Sequence, residues 1–172
     1  MHYAGLRNHD IANGEGFRTT LYVSGCRRGC PGCFNKEAWD FRYGQEFTNE
    51  TLAEIRDMLN DDNIAGLSIL GGDPFEPENQ EMVKFICEYV RNWYGRSKSI
   101  WVWTGYELED IKDLPVMRYI DVLIDGPFVE ELKDLRLDWR GSSNQRVIDI
   151  CKSAKYGCAV RYNGKGDVNA EN

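Results

Sequence analysis

Three cysteines stand within eight residues, in the run Cys26-Arg27-Arg28-Gly29-Cys30-Pro31-Gly32-Cys33, a C-x3-C-x2-C spacing. The apolar run Leu21-Tyr22-Val23 and the small pair Ser24-Gly25 lead directly into it. Proline removes a backbone donor and glycine favours turns, so the stretch reads as a loop wrapped around something rather than as a packed element. The other three cysteines, Cys87, Cys151 and Cys158, are scattered. In a chain with no secretory features, clustered thiols bind metal or do redox chemistry more often than they form disulfides. One metal loop and three bystander thiols are expected.

Composition narrows the setting. With 172 residues, 42% hydrophobic and 28% charged, the chain can bury a core of its own. A formal net charge of -7 argues against nucleic-acid and anionic-membrane partners, which need a basic face. No apolar run reaches transmembrane length, and Met1 to Gly5 lacks the features of a signal peptide. A cytoplasmic protein is expected.

Alternating elements surround the loop. Residues 1–17 show little periodicity beyond a turn at Asn13-Gly14-Glu15-Gly16. Arg18 to Gly25 is β-rich and predicts a first strand. Thr48 or Asn49 caps a helix with Leu52, Ile55 and Leu59 on one face. Ala65 to Leu70 predicts a buried strand, ended by Gly71-Gly72-Asp73-Pro74. From Glu78 to about Tyr94, the helical spacing of Met82, Phe85, Ile86, Tyr89, Val90 and Trp93 predicts a core-facing stripe, with Cys87 as a small buried hydrophobe beside it. Ile100 to Trp103 and Tyr119 to Ile124 predict two more strands, and Val147-Ile148 a last short one. Strands alternating with helices imply right-handed βαβ units and a parallel sheet. A complete eight-fold barrel takes roughly 250 residues. The expected fold is therefore α/β, a partial, open parallel (βα) barrel. Residues 1–148 are expected to form the compact domain, and the polar stretch 149–172 a mobile C-terminal tail.

Each of the four main strands ends in a polar or Gly-rich stretch: the cysteine loop, Gly71-Gly72-Asp73-Pro74, Thr104-Gly105-Tyr106 and Asp125-Gly126-Pro127-Phe128. In a parallel sheet these ends share one rim, where α/β proteins place their sites. The cysteine count adds chemistry. Ferredoxin-type clusters use four thiolates, and structural zinc sites want four closed ligands. The loop supplies three, and neither His2 nor His9 forms a ligand-like pair. A four-iron cluster with one iron left open explains that count better than zinc does, and an open iron can chelate the amino and carboxylate groups of a small molecule.

Taken together, Asn13-Gly14-x-Gly16, Val23-Ser24-Gly25-Cys26, Cys30-Pro31-Gly32-Cys33, Gly71-Gly72-Asp73-Pro74, Trp101 to Tyr106, Asp121 to Gly126 and Arg140 to Gln145 resemble a known family. It is that of the anaerobic ribonucleoside-triphosphate reductase-activating proteins, in the radical S-adenosylmethionine superfamily, and the resemblance runs from about residue 10 to 148. It implies a [4Fe-4S] cluster held by Cys26, Cys30 and Cys33, with S-adenosyl-L-methionine on the fourth iron. It implies an oxidoreductase that cleaves S-adenosylmethionine reductively and leaves a glycyl radical on the large subunit of the reductase. The cofactor carries the chemistry, and no side chain is expected to be catalytic in its own right. Gly32, Cys33 and Phe34 would lie against the adenine, and Gly32 stands where many radical enzymes have an aromatic residue. Gly71, Gly72 and Asp73 would present backbone groups to the methionyl amine, with Thr104 and Asp125 within reach of the ribose or amino-acid portion. An electron donor such as flavodoxin or ferredoxin, and a homodimer, belong to the same expectation.

Plainer readings stand beside these. Arg27 and Arg28 either steer a partner or are solvated loop arginines. Glu15 stands where many relatives carry proline, which would loosen its turn. The segment from Arg140 to Arg146 either docks a partner or caps the fold. Cys151 and Cys158, as C-x6-C, match no familiar metal spacing, and His2 and His9 read as surface residues of an N-terminal arm. The rival functions are the activase of another glycyl-radical enzyme of the pyruvate formate-lyase type, a small iron-sulfur electron carrier and a zinc-stabilised module. The short chain and Gly32 count against the first. The second requires a fourth ligand from Cys87, Cys151 or Cys158.

Overall fold

Parallel pairing decides where the loops of this chain go. In the computed structural model, which describes residues 1–164, one seven-stranded sheet is built from β1 (His2–Asp10), β2 (Phe17–Val23), β3 (Gln45–Glu46), β4 (Ile64–Gly71), β5 (Ser99–Trp103), β6 (Val122–Asp125) and β7 (Arg146–Asp149). Their order across the sheet is β3-β1-β2-β4-β5-β6-β7. The central strands β2, β4, β5 and β6 pair in parallel, and the edges β1, β3 and β7 are antiparallel. The chain is thus α/β; its four main predicted strands are the parallel ones, and the fifth, at Val147-Ile148, is the antiparallel β7. The registers Val23 to Gly71, Ile69 to Val102 and Trp103 to Ile124 bring their C-terminal ends to one rim.

The helices α1 (Asn49–Leu59), α2 (Pro77–Tyr94), α3 (Leu108–Ile111) and α4 (Ile150–Tyr156) bury their apolar sides in one core. That core is completed by Leu21, Val23, Leu67, Ile69, Ile100, Val102, Leu123 and Ile148 from alternate positions of the strands. Thr48 caps α1, accepting from Thr51 N while the Thr51 side chain accepts from Thr48 N, a reciprocal box that satisfies two orphan donors. The opposite face carries a smaller cluster of Trp101, Val122, Ile124 and Val147, packed against Trp103, Trp139 and Tyr162. Arg18 lies buried there. Its guanidinium donates to Ser68 Oγ, Ser99 Oγ and the carbonyls of Glu15, Leu67 and Ser99, and sits 5.2 Å from the Trp101 ring.

Three elements differ from expectation. β1 is a full strand where no periodicity was legible, because two register irregularities break its alternation and only Tyr3 and Asp10 are buried. On α2 the buried face is Val83, Ile86, Cys87 and Val90, while Phe85 and Trp93, expected in the core, are 48% and 56% exposed. The apolar residues of α2 cover more than one stripe, and the compact side chains take the side against the sheet. The stretch expected as a tail from 149 begins with α4, capped by Asp149, which accepts from Lys152 N. The chain then turns at Gly157 and places Tyr162 against Trp101, 5.1 Å between ring centroids. Residues 165–172 of that stretch lie outside the described residues.

Candidate functional site

The cysteine loop leaves β2 at the rim and is tied down before its first thiol. Ser24 N–H donates to His2 O, Gly25 N–H to Ala38 O and Cys26 N–H to Trp39 O. The exit of β4 is bound to the same backbone, with Gly72 N–H donating to Val23 O and Asp73 N–H to Gly25 O. This approach requires glycine: a Cβ on Gly72 would stand 2.5 Å from Gly25 O and 2.9 Å from Ala38 O. Asn79, buried on the first turn of α2, donates to both Ser24 O and Asp73 O.

Asp73 joins the next strand end. Its carboxylate is buried and accepts from Phe75 N, from Thr104 Oγ1 at 2.8 Å and from Gly105 N at 2.9 Å. Burial pushes its carboxyl above the usual carboxylate range, against the opposing pull of those donors. Arg28 reaches over from the cysteine loop, its guanidinium 4.0 Å from the Tyr106 ring centroid and its Nε 3.7 Å from Asp73 Oδ2, too long for a hydrogen bond. Arg27 N–H and its guanidinium both donate to Glu76, the buried residue before α2; the guanidinium also pairs with Glu78 and lies 4.3 Å from the Phe41 ring. Sequence reasoning left both arginines open to a solvated reading. They are instead the struts of the loop, and no local pattern announces a partner 49 residues away.

The three loop thiols are half-buried. Burial pushes the Cys26 thiol up to about 11, so the free side chain is protonated at neutral pH. Among the described residues no three His, Cys, Asp or Glu side chains are gathered closely enough to hold a metal ion. The sequence brings the thiols onto one loop and leaves them unconverged. Of the other predicted residues, Gly32 lies against the Glu130 carboxylate, and Phe34 is 97% exposed. Gly71 lies against Val23, where a Cβ would strike the Val23 backbone. Thr104 and Asp125, expected to reach a ligand, spend their side chains on the fold: Thr104 on Asp73, Asp125 on Leu108 N and the Arg146 guanidinium. The segment from Arg140 to Arg146 bonds to itself and to the exit of β6. Gln145 Oε1 accepts from Gly141 N and Ser142 N, Gln145 Nε2 donates to Gly126 O, and Asn144 Nδ2 donates to Pro127 O.

The remaining cysteines are elsewhere. Cys87 is fully buried among the helices, its thiol pushed up to about 12 by desolvation. Cys151 and Cys158 line a groove of about 610 Å³ with Arg96, Met117 and Ile120. Since β7 runs antiparallel to β6, with Asp149 beside Val122, α4 starts at the edge of the sheet opposite the rim.

Known proteins are similar to this chain in sequence. The family profile described as a 4Fe-4S single cluster domain matches residues 12–148, which contain the loop and all four strand ends. A protein of Enterobacteria phage T4 is 42% identical over 147 residues, covering 86% of this chain and 93% of that protein. One of Escherichia coli strain K12 is 45% identical over 151 residues (86% and 97%), and one of Salmonella typhi 48% over 144 residues (80% and 92%). All three carry the name anaerobic ribonucleoside-triphosphate reductase-activating protein. With identity of this order across nearly the whole length of each relative, the chain belongs to the family of anaerobic ribonucleoside-triphosphate reductase-activating proteins.

Proposed function

We propose that this chain activates an anaerobic ribonucleoside-triphosphate reductase by cleaving S-adenosylmethionine reductively at a [4Fe-4S] cluster, leaving a glycyl radical on the large subunit. The observation that carries this reading is the thiol count at the rim: three on one loop, with Cys87 in the helical core and Cys151 and Cys158 at the far edge. Cys26, Cys30 and Cys33 would hold the cluster. Bound there, it supplies a low-potential electron and one iron without a protein ligand, open to the amino and carboxylate groups of S-adenosylmethionine.

The residues present fit such a group. Three half-buried thiols form a soft donor set, and the Ser24 hydroxyl just before them is buried without a hydrogen-bond partner among the described residues. Loading has to expel the proton that burial keeps on Cys26. It also has to draw the sulfurs together, and Gly29 and Gly32, at φ +60° and +71°, give the loop conformations that other residues resist. Gly71, Gly72 and Asp73 would offer backbone groups to the methionyl end, while the Asp73 side chain holds the exit of β5 in place. Phe34, exposed beside the last ligand, would close over the adenine. Helices gathered on one face of a sheet whose central strands are parallel support the partial-barrel reading, with the rim as the site. An electron donor such as flavodoxin or ferredoxin, a homodimer and a cytoplasmic setting go with this proposal.

The test is anaerobic reconstitution followed by iron counting and incubation with S-adenosylmethionine and dithionite. About four irons per chain and formation of 5'-deoxyadenosine are expected. An intact cluster that yields no 5'-deoxyadenosine would point to the electron-carrier reading instead. Mixing with the reductase large subunit should then give a glycyl-radical signal in electron paramagnetic resonance. Its absence, with cleavage intact, would indicate another partner.

A further inference from the structure

The exit of β2 leaves one donor unspent. Around Ser24 and Gly25 the backbone groups are taken: Ser24 N–H by His2 O, Ser24 O by Asn79 Nδ2, Gly25 N–H by Ala38 O and Gly25 O by Asp73 N–H. The Ser24 hydroxyl, on a fully buried residue, has no hydrogen-bond partner among the described residues. A buried hydroxyl without a hydrogen bond gives up its hydration with nothing in return. A simple apolar filler such as alanine would avoid that cost. Ser24 stands two residues before Cys26, whereas Arg28 Nε, four residues further on, faces the Asp73 carboxylate at 3.7 Å. The Ser24 hydroxyl is thus the donor beside the first thiol that has neither a hydrogen bond nor an ion pair among the described residues.

We infer that Ser24 Oγ–H is a hydrogen-bond donor reserved for sulfur, donating to the Cys26 thiolate or an adjacent inorganic sulfide once the loop is loaded. The inference rests on the cluster reading above. Its physical consequence follows from charge. A hydrogen bond to a cluster sulfur stabilises the more negative, reduced state and raises the reduction potential. Ser24 is thereby a positioning and tuning residue. In the loaded protein it would touch the loop's sulfur and take no part in bond cleavage.

The experiment compares wild type, Ser24→Ala and Ser24→Thr, each as the full chain, by two measurements. The first is thermal unfolding without iron. Because the hydroxyl has no partner in the empty protein, Ser24→Ala should unfold at the same temperature as wild type or higher. The second is a redox titration of the reconstituted cluster, followed by electron paramagnetic resonance. Ser24→Ala should shift the midpoint to more negative potential, and Ser24→Thr, which keeps the hydroxyl, should hold the wild-type value. A lower unfolding temperature for empty Ser24→Ala would show that the hydroxyl has an internal structural partner, and would overturn the inference. An unchanged potential in a loaded Ser24→Ala would overturn it as well. Failure of wild type to bind four irons would instead sink the cluster reading, so the two failures are distinguishable.

Discussion

Gly72 shows how little freedom a single residue has at this rim. Its φ is not left-handed, so the constraint is steric: a methyl group would meet the backbone oxygens of Gly25 and Ala38, which cannot move aside as a flexible side chain would. Gly72→Ala should pry the exit of β4 away from the cysteine loop. Bound iron after reconstitution should fall several-fold, with a lowered unfolding temperature; full iron content would contradict this account of the contact. Asp73 tests the neighbouring bond set. Asp73→Ala leaves the donors Phe75 N, Thr104 Oγ1 and Gly105 N in a buried space, which should cost about 2–4 kcal/mol in urea unfolding. A cost below about 1 kcal/mol would mean that water or rearrangement replaces the carboxylate with ease. Neither outcome depends on Asp73 touching a ligand, so the backbone role proposed for it is separable from its side-chain role in the fold.

Elements explain which of these features were legible in the sequence. The four parallel strands were readable because each is a short β-rich run closed by a Gly-rich or polar exit, and parallel pairing turns those exits into one rim. The cysteine loop was readable because its spacing is local. β1 was not, since bulges erase its alternation, and neither were the partners of Arg27, Arg28 and Asp73, which come from other strand ends. Helix α2 is the instructive intermediate. Its helical period was evident, yet two apolar stripes overlap on it, and only burial against the sheet distinguishes them. Ile86 is fully buried while Phe85, its neighbour in sequence, is half exposed. Ile86→Ala should therefore cost about 2–5 kcal/mol, whereas Phe85→Ser, which gives up only half-buried surface, should cost about 1 kcal/mol. Urea titrations giving the reverse order would restore the aromatic stripe to the core.

At the scale of the whole molecule, the sheet divides chemistry from support. Its rim end is stitched by backbone and side-chain bonds across four strand exits, and its opposite end carries α4 and the groove with Cys151 and Cys158. Between them Arg18 bridges three strands. Burial pulls its guanidinium down to about 10, which still leaves it charged at neutral pH. Arg18→Met would leave three carbonyls without this donor and should cost more than about 3 kcal/mol; a near-neutral result would show that the carbonyls find other donors. The same division makes a sharper prediction about metal. A four-iron electron carrier closes its cluster with a fourth thiolate, and in this fold the spare exposed thiols stand at the wrong edge of the sheet to provide one. The double substitution Cys151→Ser, Cys158→Ser touches only exposed residues, so folding should be unaffected. Iron content and the cluster's visible and paramagnetic spectra should match wild type, and S-adenosylmethionine should still perturb the spectrum of the reduced cluster by occupying the open iron. Loss of the cluster in the double variant would place one of these thiols at the rim, which the antiparallel turn of β7 forbids. A normal cluster insensitive to S-adenosylmethionine would leave the loop's three ligands in place and remove the argument for an open iron.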